Sequence, residues 1–129
     1  MNLQHVDIMD AIRVHEAIIT RAKTKAGVRD FALLHSAVER SKATYDGKDL
    51  YPTLFLKTGA LLQSICLNHA FTDGNKRTAW AVTHKFLWMN GYILLSTRFE
   101  AADFMVQVDN EKPDLKTIAM WLKKHCTKK

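Results

Sequence analysis

The sequence predicts an all-α domain: residues 1–129 as one bundle of about six helices with a small β-hairpin flap. Three observations lead there. Apolar residues recur at spacings of three and four along most of the chain, the period of a helix with one buried face. Only five glycines and two prolines interrupt that pattern. One Asp-Gly pair, Asp46-Gly47, sits between short flanking segments and is a strong two-residue hairpin signal.

The first helix starts at Asp7, a good N-cap residue, and carries Ile8, Ala11, Ile12, His15, Ile18 and Ile19 on one face as far as Ala22. The stretch "KTKAG" breaks it. A second helix is expected from Arg29 to Lys42, with Phe31, Leu34, Ala37 and Val38 inward. "ATYDGKDLY" follows. Its flanks are too short and polar for a core sheet, so Tyr45 to Tyr51 should form an exposed flap. The third helix is expected from Pro52 to Asn68, with Leu54, Thr58, Leu61, Leu62 and Ile65 on one side.

The segment "NKRTAWAVTHKFLWMNG" carries two apolar stripes, one of Ala79, Val82, Phe86 and Met89 and one of Trp80, Thr83 and Leu87. A helix apolar over most of its circumference is normally the central, buried one. Asn90-Gly91 ends it with a left-handed glycine cap. "YILLS" is a short strand or an extended connection. Thr97 and Glu100 fit a capping box that opens a fifth helix, "FEAADFMVQVDN". A sixth follows Pro113, with Leu115, Ile118, Ala119 and Leu122 inward. Both prolines, Pro52 and Pro113, are expected in first helical turns, where proline is tolerated.

A chain of 129 residues suits one domain with one core, and a hydrophobic content of 47% is too high for a disordered chain. No apolar run approaches the roughly 20 residues of a membrane span, and the N-terminus lacks the basic start and apolar stretch of a secretory signal. Cys66 lies in the apolar run "LLQSICL" and Cys126 in a lysine-rich tail. No metal-ligand spacing links them and a disulfide is not expected, which suits a reducing, cytoplasmic setting. The net charge of +6 calls for an anionic partner, but much of it lies in the tail "KKHCTKK", which by itself reads as a solvated end.

The densest polar chemistry is "HAFTDGNKRTAW", residues 69 to 80, between the two most apolar helices. A histidine with an ordinary pKa of about 6.5 serves as a general base near neutrality. Gly74 permits a positive φ and close approach of the backbone to a ligand. It sits where the next helix begins, and free N–H groups with the positive end of a helix dipole form an anion site. Lys76 and Arg77 stand at the same helix start, where cations oppose the dipole by a few tenths to about 1 kcal/mol. A bound phosphate removes that conflict. Asp73 then suits a Mg²⁺ ligand, since Mg²⁺ is usually held by one or two carboxylates plus substrate phosphates. Each residue alone has a plainer role: His69 as a helix-end histidine, Phe71 as a core anchor, Asp73 as an N-cap, Asn75 as an ordinary helix-start residue. Together they are the parts of phosphoryl or nucleotidyl transfer.

"HAFTDGNKR" resembles the signature of the Fic/Doc superfamily, and more closely that of its Doc (death-on-curing) branch. Fic proteins show H-P-F-x-[D/E]-G-N-G-R-x-x-R, matched here by His69, Phe71, Asp73, Gly74, Asn75 and Arg77. Ala70 replaces the proline, Lys76 the second glycine and Trp80 the last arginine. The departures at Lys76 and Trp80 are shared with the Doc branch. "GVRDFALLHSAVERSKATY" and "FLWMNGY" extend the resemblance over nearly the whole chain, although a glycine pair usual before G-x-R-D is absent from "RAKTKAGVRD".

The resemblance implies a Fic/Doc-type helical bundle and a toxin of a type II toxin–antitoxin system. The implied activity is that of a protein kinase moving the γ-phosphate of ATP to a hydroxyl of translation elongation factor Tu. His69 would be the base, Asp73 would hold Mg²⁺, and Gly74, Asn75, Lys76 and Arg77 would cradle the phosphates. It implies a Phd-like antitoxin whose disordered segment folds as a helix in an exposed apolar groove, with no direct DNA binding and no membrane. The flap resembles the hairpin that aligns a Fic target by strand addition, and is equally readable as an idle turn. A Fic-type adenylyltransferase is the first alternative. A non-enzymatic nucleotide- or RNA-binding module is the second, disfavoured because interleaved aromatic and basic surface motifs are lacking.

Overall fold

A computed structural model describes residues 2–24 and 27–129. The helices are α1 (Ile8–Ala22), α2 (Phe31–Glu39), α3 (Leu54–Asn68), α4 (Asn75–Met89), α5 (Arg98–Glu111) and α6 (Leu115–Lys124). Two antiparallel two-stranded sheets accompany them. One pairs β1 (Thr44–Tyr45) with β2 (Lys48–Asp49); the other pairs β3 (Tyr92–Leu94) with β4 (Cys126–Lys128). The expected all-α bundle of six helices with a hairpin flap is the fold observed.

Local chemistry sets most of the boundaries. Asp7 caps α1 in a full capping box with Asp10, and Thr97 does the same for α5 with Glu100. Lys23 ends α1 in the left-handed region at φ 55°. Asp46 and Gly47 both take positive φ, 53° and 76°, as a two-residue hairpin turn that follows the strand twist requires. The flap is exposed, with Tyr45 77% accessible. Its base is tied down, because the buried Lys57 ammonium of α3 meets Asp49 at 3.0 Å and Arg40 Nε donates to the Tyr51 hydroxyl at 2.9 Å.

Five details depart from the sequence reading. The most buried helix is α3, with ten buried residues against six in α4. It packs on α2, α4 and α6 together, and Gly59 admits α6: a Cβ there would lie 3.2 Å from Leu115 Cδ1. The second helix is shorter than expected, capped by Asp30 and ending as a 3-10 turn at Arg40–Lys42. Phe31 stands uncovered in its first turn, 58% exposed rather than inward. Neither proline is helical. Pro52 and Pro113 each precede an N-cap, Thr53 or Asp114, whose side-chain oxygen accepts from a first-turn N–H as proline cannot. Finally, the basic tail is not a loose end: Cys126 pairs with Leu94 and Lys128 with Tyr92, and Lys129 Nζ lies 3.9 Å from the Trp88 ring centroid. Both cysteines are free thiols.

Candidate active site

Residues 69–77 form the loop joining α3 to α4 and the first turn of α4. His69 is the C-cap of α3, in the left-handed region at φ 51°, a conformation uncommon outside glycine. The fold holds it there: the Arg29 guanidinium donates to the His69 carbonyl through both Nε and Nη2. The segment Gly27–Asp30 lies beside the loop and pins it. Arg29 and Asp30 donate backbone N–H groups to the Ala70 carbonyl at 2.8 and 3.0 Å, and Thr72 donates to the Gly27 carbonyl at 3.1 Å. Ala70 and Phe71 are buried, so Phe71 anchors the loop as expected.

Two side chains shape the turn. Asn75 Nδ2 donates to the Phe71 carbonyl at 3.0 Å, and Asn75 Oδ1 accepts from the Phe71 N–H at 3.1 Å. That reciprocal pair occupies the Asn75 side chain with the loop's own backbone, so its contribution to an anion comes through its main-chain N–H. Gly74 is the N-cap of α4 at φ 78°. A Cβ on Gly74 would sit 3.1 Å from Ile19 Cδ1 and 3.7 Å from His15 Cε1, so glycine is required by space as well as by φ.

No side chain caps α4. Asp73, readable as a cap from sequence, instead has Oδ1 accepting from the adjacent Gly74 N–H at 2.7 Å and Oδ2 accepting from the Thr24 hydroxyl. The Thr24 hydrogen bond, the Gly74 N–H and the Arg77 charge hold the Asp73 carboxyl below the usual carboxylate range. It is therefore ionised at neutral pH and exposed, with lone pairs to spare. Lys76 has an acidic partner, Asp109 of α5, at 3.2 Å, which relieves part of its conflict with the helix dipole. Arg77 is exposed and pairs with no carboxylate among the described residues.

All six residues singled out from sequence, His69, Asp73, Gly74, Asn75, Lys76 and Arg77, line one pocket of about 530 Å³ together with Ala22, Thr24 and Thr72. An ionised carboxylate, two cations and the uncapped N–H groups of α4 share this pocket, an arrangement that could hold an anion and a cation together. Among the described residues no group of three or more His, Cys, Asp or Glu could hold a metal. One carboxylate suits Mg²⁺ shared with phosphates and not a resident metal. Beside this pocket runs a larger groove of about 1160 Å³ between α1, α4 and α5, floored by Ile18, Ala81, Leu94, Met105 and Val106 and edged by Arg21, Lys76, Arg77 and Arg98. Trp80, where the Fic pattern has arginine, is half-buried in that groove, edge-on to Trp121 with ring centroids 6.0 Å apart.

A search against family models matches residues 5–87 to the Fic/DOC family. The chain belongs to the Fic/DOC family. Within it, the chain is similar to a curated protein of Mycolicibacterium smegmatis named Toxin Doc, 50% identical over 95 residues, which are 71% of this chain and 72% of that protein.

Four residues that touch this loop are not marked as site residues by the sequence: His15, Thr24, Arg29 and Asp109. The spacing along α1 marks His15 only as a residue of an inward face. Its ring stacks on Phe71, centroids 3.8 Å apart and planes 13° apart, and its Nδ1 is 3.1 Å from Thr78 Oγ1. Burial lowers its pKa, against the charges of Glu16 and Asp73, which pull the other way. A polar residue in the middle of an apolar stripe was the available signal. "GVRD" flagged Arg29 only by resemblance. Nothing local marks Thr24 or Asp109, which reach the loop from α1's end and from α5.

Proposed function

We propose that this chain is the toxin of a type II toxin–antitoxin system and acts as a protein kinase, transferring the γ-phosphate of ATP to a threonine or serine hydroxyl of translation elongation factor Tu. The observation that carries the reading is the one pocket holding His69, Asp73 and the uncapped start of α4 with Lys76 and Arg77, in a Fic/DOC-family chain 50% identical over 95 residues to a protein named Toxin Doc.

In this reading His69, half exposed at the pocket rim, takes the proton of the acceptor hydroxyl as its oxygen attacks the γ-phosphorus and the bond to ADP breaks. The backbone N–H groups of Asn75, Lys76 and Arg77 and the two cationic side chains hold the phosphates. Asp73 would hold Mg²⁺ jointly with those phosphates; the ion supplies charge neutralisation when bound. The lysine at position 76, where Fic proteins have glycine, and the tryptophan at 80 favour γ-phosphate transfer over AMP transfer, because both change how a triphosphate sits in the loop. A Phd-like antitoxin would lay an amphipathic acidic helix into the groove between α1, α4 and α5. That groove shares Lys76 and Arg77 with the phosphate pocket, so its occupant would compete for the same two charges.

The test uses the purified chain, elongation factor Tu and ATP labelled in either the α or the γ position. Label transferred from γ-labelled ATP alone supports the kinase. Transfer from α-labelled ATP would instead establish adenylyl transfer, and nucleotide binding with no transfer would point to a non-enzymatic module.

A further inference from the structure

Asp109 lies on α5, outside the loop and outside the family motif, yet its carboxylate faces two motif side chains at once. Oδ2 accepts from Lys76 Nζ at 3.2 Å. Oδ1 stands 3.9 Å from His69 Nε2, in ion-pair range and beyond a hydrogen bond. Asp109 is also the most buried of the three: its side chain is 23% accessible, against 53% for His69 and 48% for Lys76. One carboxylate thus faces both the histidine and a cation of the helix start.

We propose that Asp109 is a positioning residue that arms His69 when nucleotide binds, a role that rests on the phosphoryl-transfer reading above. In the structure Asp109 accepts from Lys76 and makes no hydrogen bond to His69. A phosphate arriving at the start of α4 draws the Lys76 ammonium to itself and repels the carboxylate. Asp109 is released toward His69, and closing the 3.9 Å gap to a hydrogen bond takes a shift of about 1 Å. The ring nitrogen facing Asp109 then keeps its proton and donates it, so the opposite nitrogen is left bare to accept the hydroxyl proton. The imidazolium formed in that step is stabilised by the same carboxylate and later loses its proton to solvent. Base activation thereby follows nucleotide binding, and a hydroxyl is not deprotonated in an empty site.

The experiment compares wild type with Asp109→Ala, Asp109→Asn and Asp109→Glu, each first checked for an unchanged melting temperature. In the phosphate-transfer assay, Asp109→Ala should lose at least about tenfold in kcat, part of the roughly hundred- to ten-thousandfold that a positioned general base contributes. Its KM for ATP should not rise, since Lys76 is freed for phosphate. Asp109→Glu should recover part of kcat and Asp109→Asn less. The second readout is ¹⁵N NMR of histidine, with the His69 signals assigned by their loss in His69→Ala. Adding Mg²⁺ and a non-hydrolysable ATP analogue should fix His69 in one tautomer in wild type and leave it averaged over both in Asp109→Ala. An unchanged or raised kcat in Asp109→Ala would overturn the proposal, the latter showing that the carboxylate plugs the site. Identical His69 spectra in wild type and Asp109→Ala with the analogue present would overturn it too. Should wild type transfer no phosphate, the kinase reading fails on its own while the NMR comparison still decides the role of Asp109.

Discussion

Replacing Asn75 separates a residue that shapes the loop from one that would touch phosphate in the proposed function. Its side chain makes two hydrogen bonds to one peptide position, 3.1 Å from the Phe71 N–H and 3.0 Å to the Phe71 carbonyl. A hydrogen bond of this kind contributes about 1 kcal/mol net, so Asn75→Ala should destabilise the fold by about 2 kcal/mol, or somewhat more if either Phe71 group is left unpaired. For a domain of this size that corresponds to a drop of roughly 8 °C in Tm. Asn75→Asp should fare no better. One oxygen still accepts from the Phe71 N–H, but the other turns a negative charge on the Phe71 carbonyl where a donor stood. Urea denaturation measures the loss as a lower midpoint at unchanged slope, and calorimetric titration of Mg²⁺–ATP on the same samples measures affinity. Stability and affinity should fall together in both variants, because the loop that presents the N–H groups is loosened. Asn75→Ala with wild-type stability but weakened ATP binding would refute the reasoning and return the side chain to the phosphates.

Four further outcomes are expected. Gly74→Ala should cost about 1–2 kcal/mol for a left-handed L-residue plus the contact with Ile19 Cδ1 at 3.1 Å; adding Ile19→Val should recover the contact and not the backbone cost, read by denaturation of the double variant. Asp49→Asn should destabilise by about 1–2 kcal/mol, since it leaves the buried Lys57 ammonium facing a neutral group, the figure being discounted for Asp49's exposure to solvent; limited proteolysis should then cut first in the flap. Burial lowers the His15 pKa, so the unfolded chain takes a proton near pH 6.5 that the folded chain refuses. That contribution to stability is present above about pH 6.5 and is lost as pH falls through the unfolded value toward the folded one; His15→Phe, which keeps the stack on Phe71, should flatten the stability profile there, and an identical profile counts against it. Asp73→Asn should abolish the Mg²⁺ dependence of ATP binding, whereas binding that still responds to EDTA would remove Asp73 as the metal ligand.

Local signals in this sequence were legible wherever the deciding interaction is itself local. Asp7, Thr97 and the Asp46-Gly47 turn all act within a few residues, and each forms the feature its residue type implies. The site residues were legible for the same reason, since six of them fall within nine positions and line one pocket. What escaped depends on distant partners. Phe31 has the right spacing for an inward residue and lacks an element to cover it. The tail looked solvated because its lysines hide a strand whose pairing with Tyr92–Leu94 is set by α5 and α6 bringing the two together. Asn75 is the exception: its partner Phe71 is only four residues away, but the resemblance points its side chain to phosphate and not to the loop backbone.

The support of the loop is therefore the harder thing to encode and the more revealing. His69 sits in the left-handed region without being a glycine, and a short polar turn does not hold such a residue unaided. Three separate parts of the chain do it: α1 places the His15 ring on Phe71 and Ile19 beneath Gly74, Gly27–Asp30 binds the backbone of residues 69–72, and α5 presents Asp109 to Lys76 and His69. Loosening any one of them should move the uncapped N–H groups at the start of α4, which follow directly on this loop. The motif supplies the candidate site residues, but their mutual placement depends on residues outside it. This is why the supporting positions, and not only His69 and Asp73, should govern how well the site binds a triphosphate.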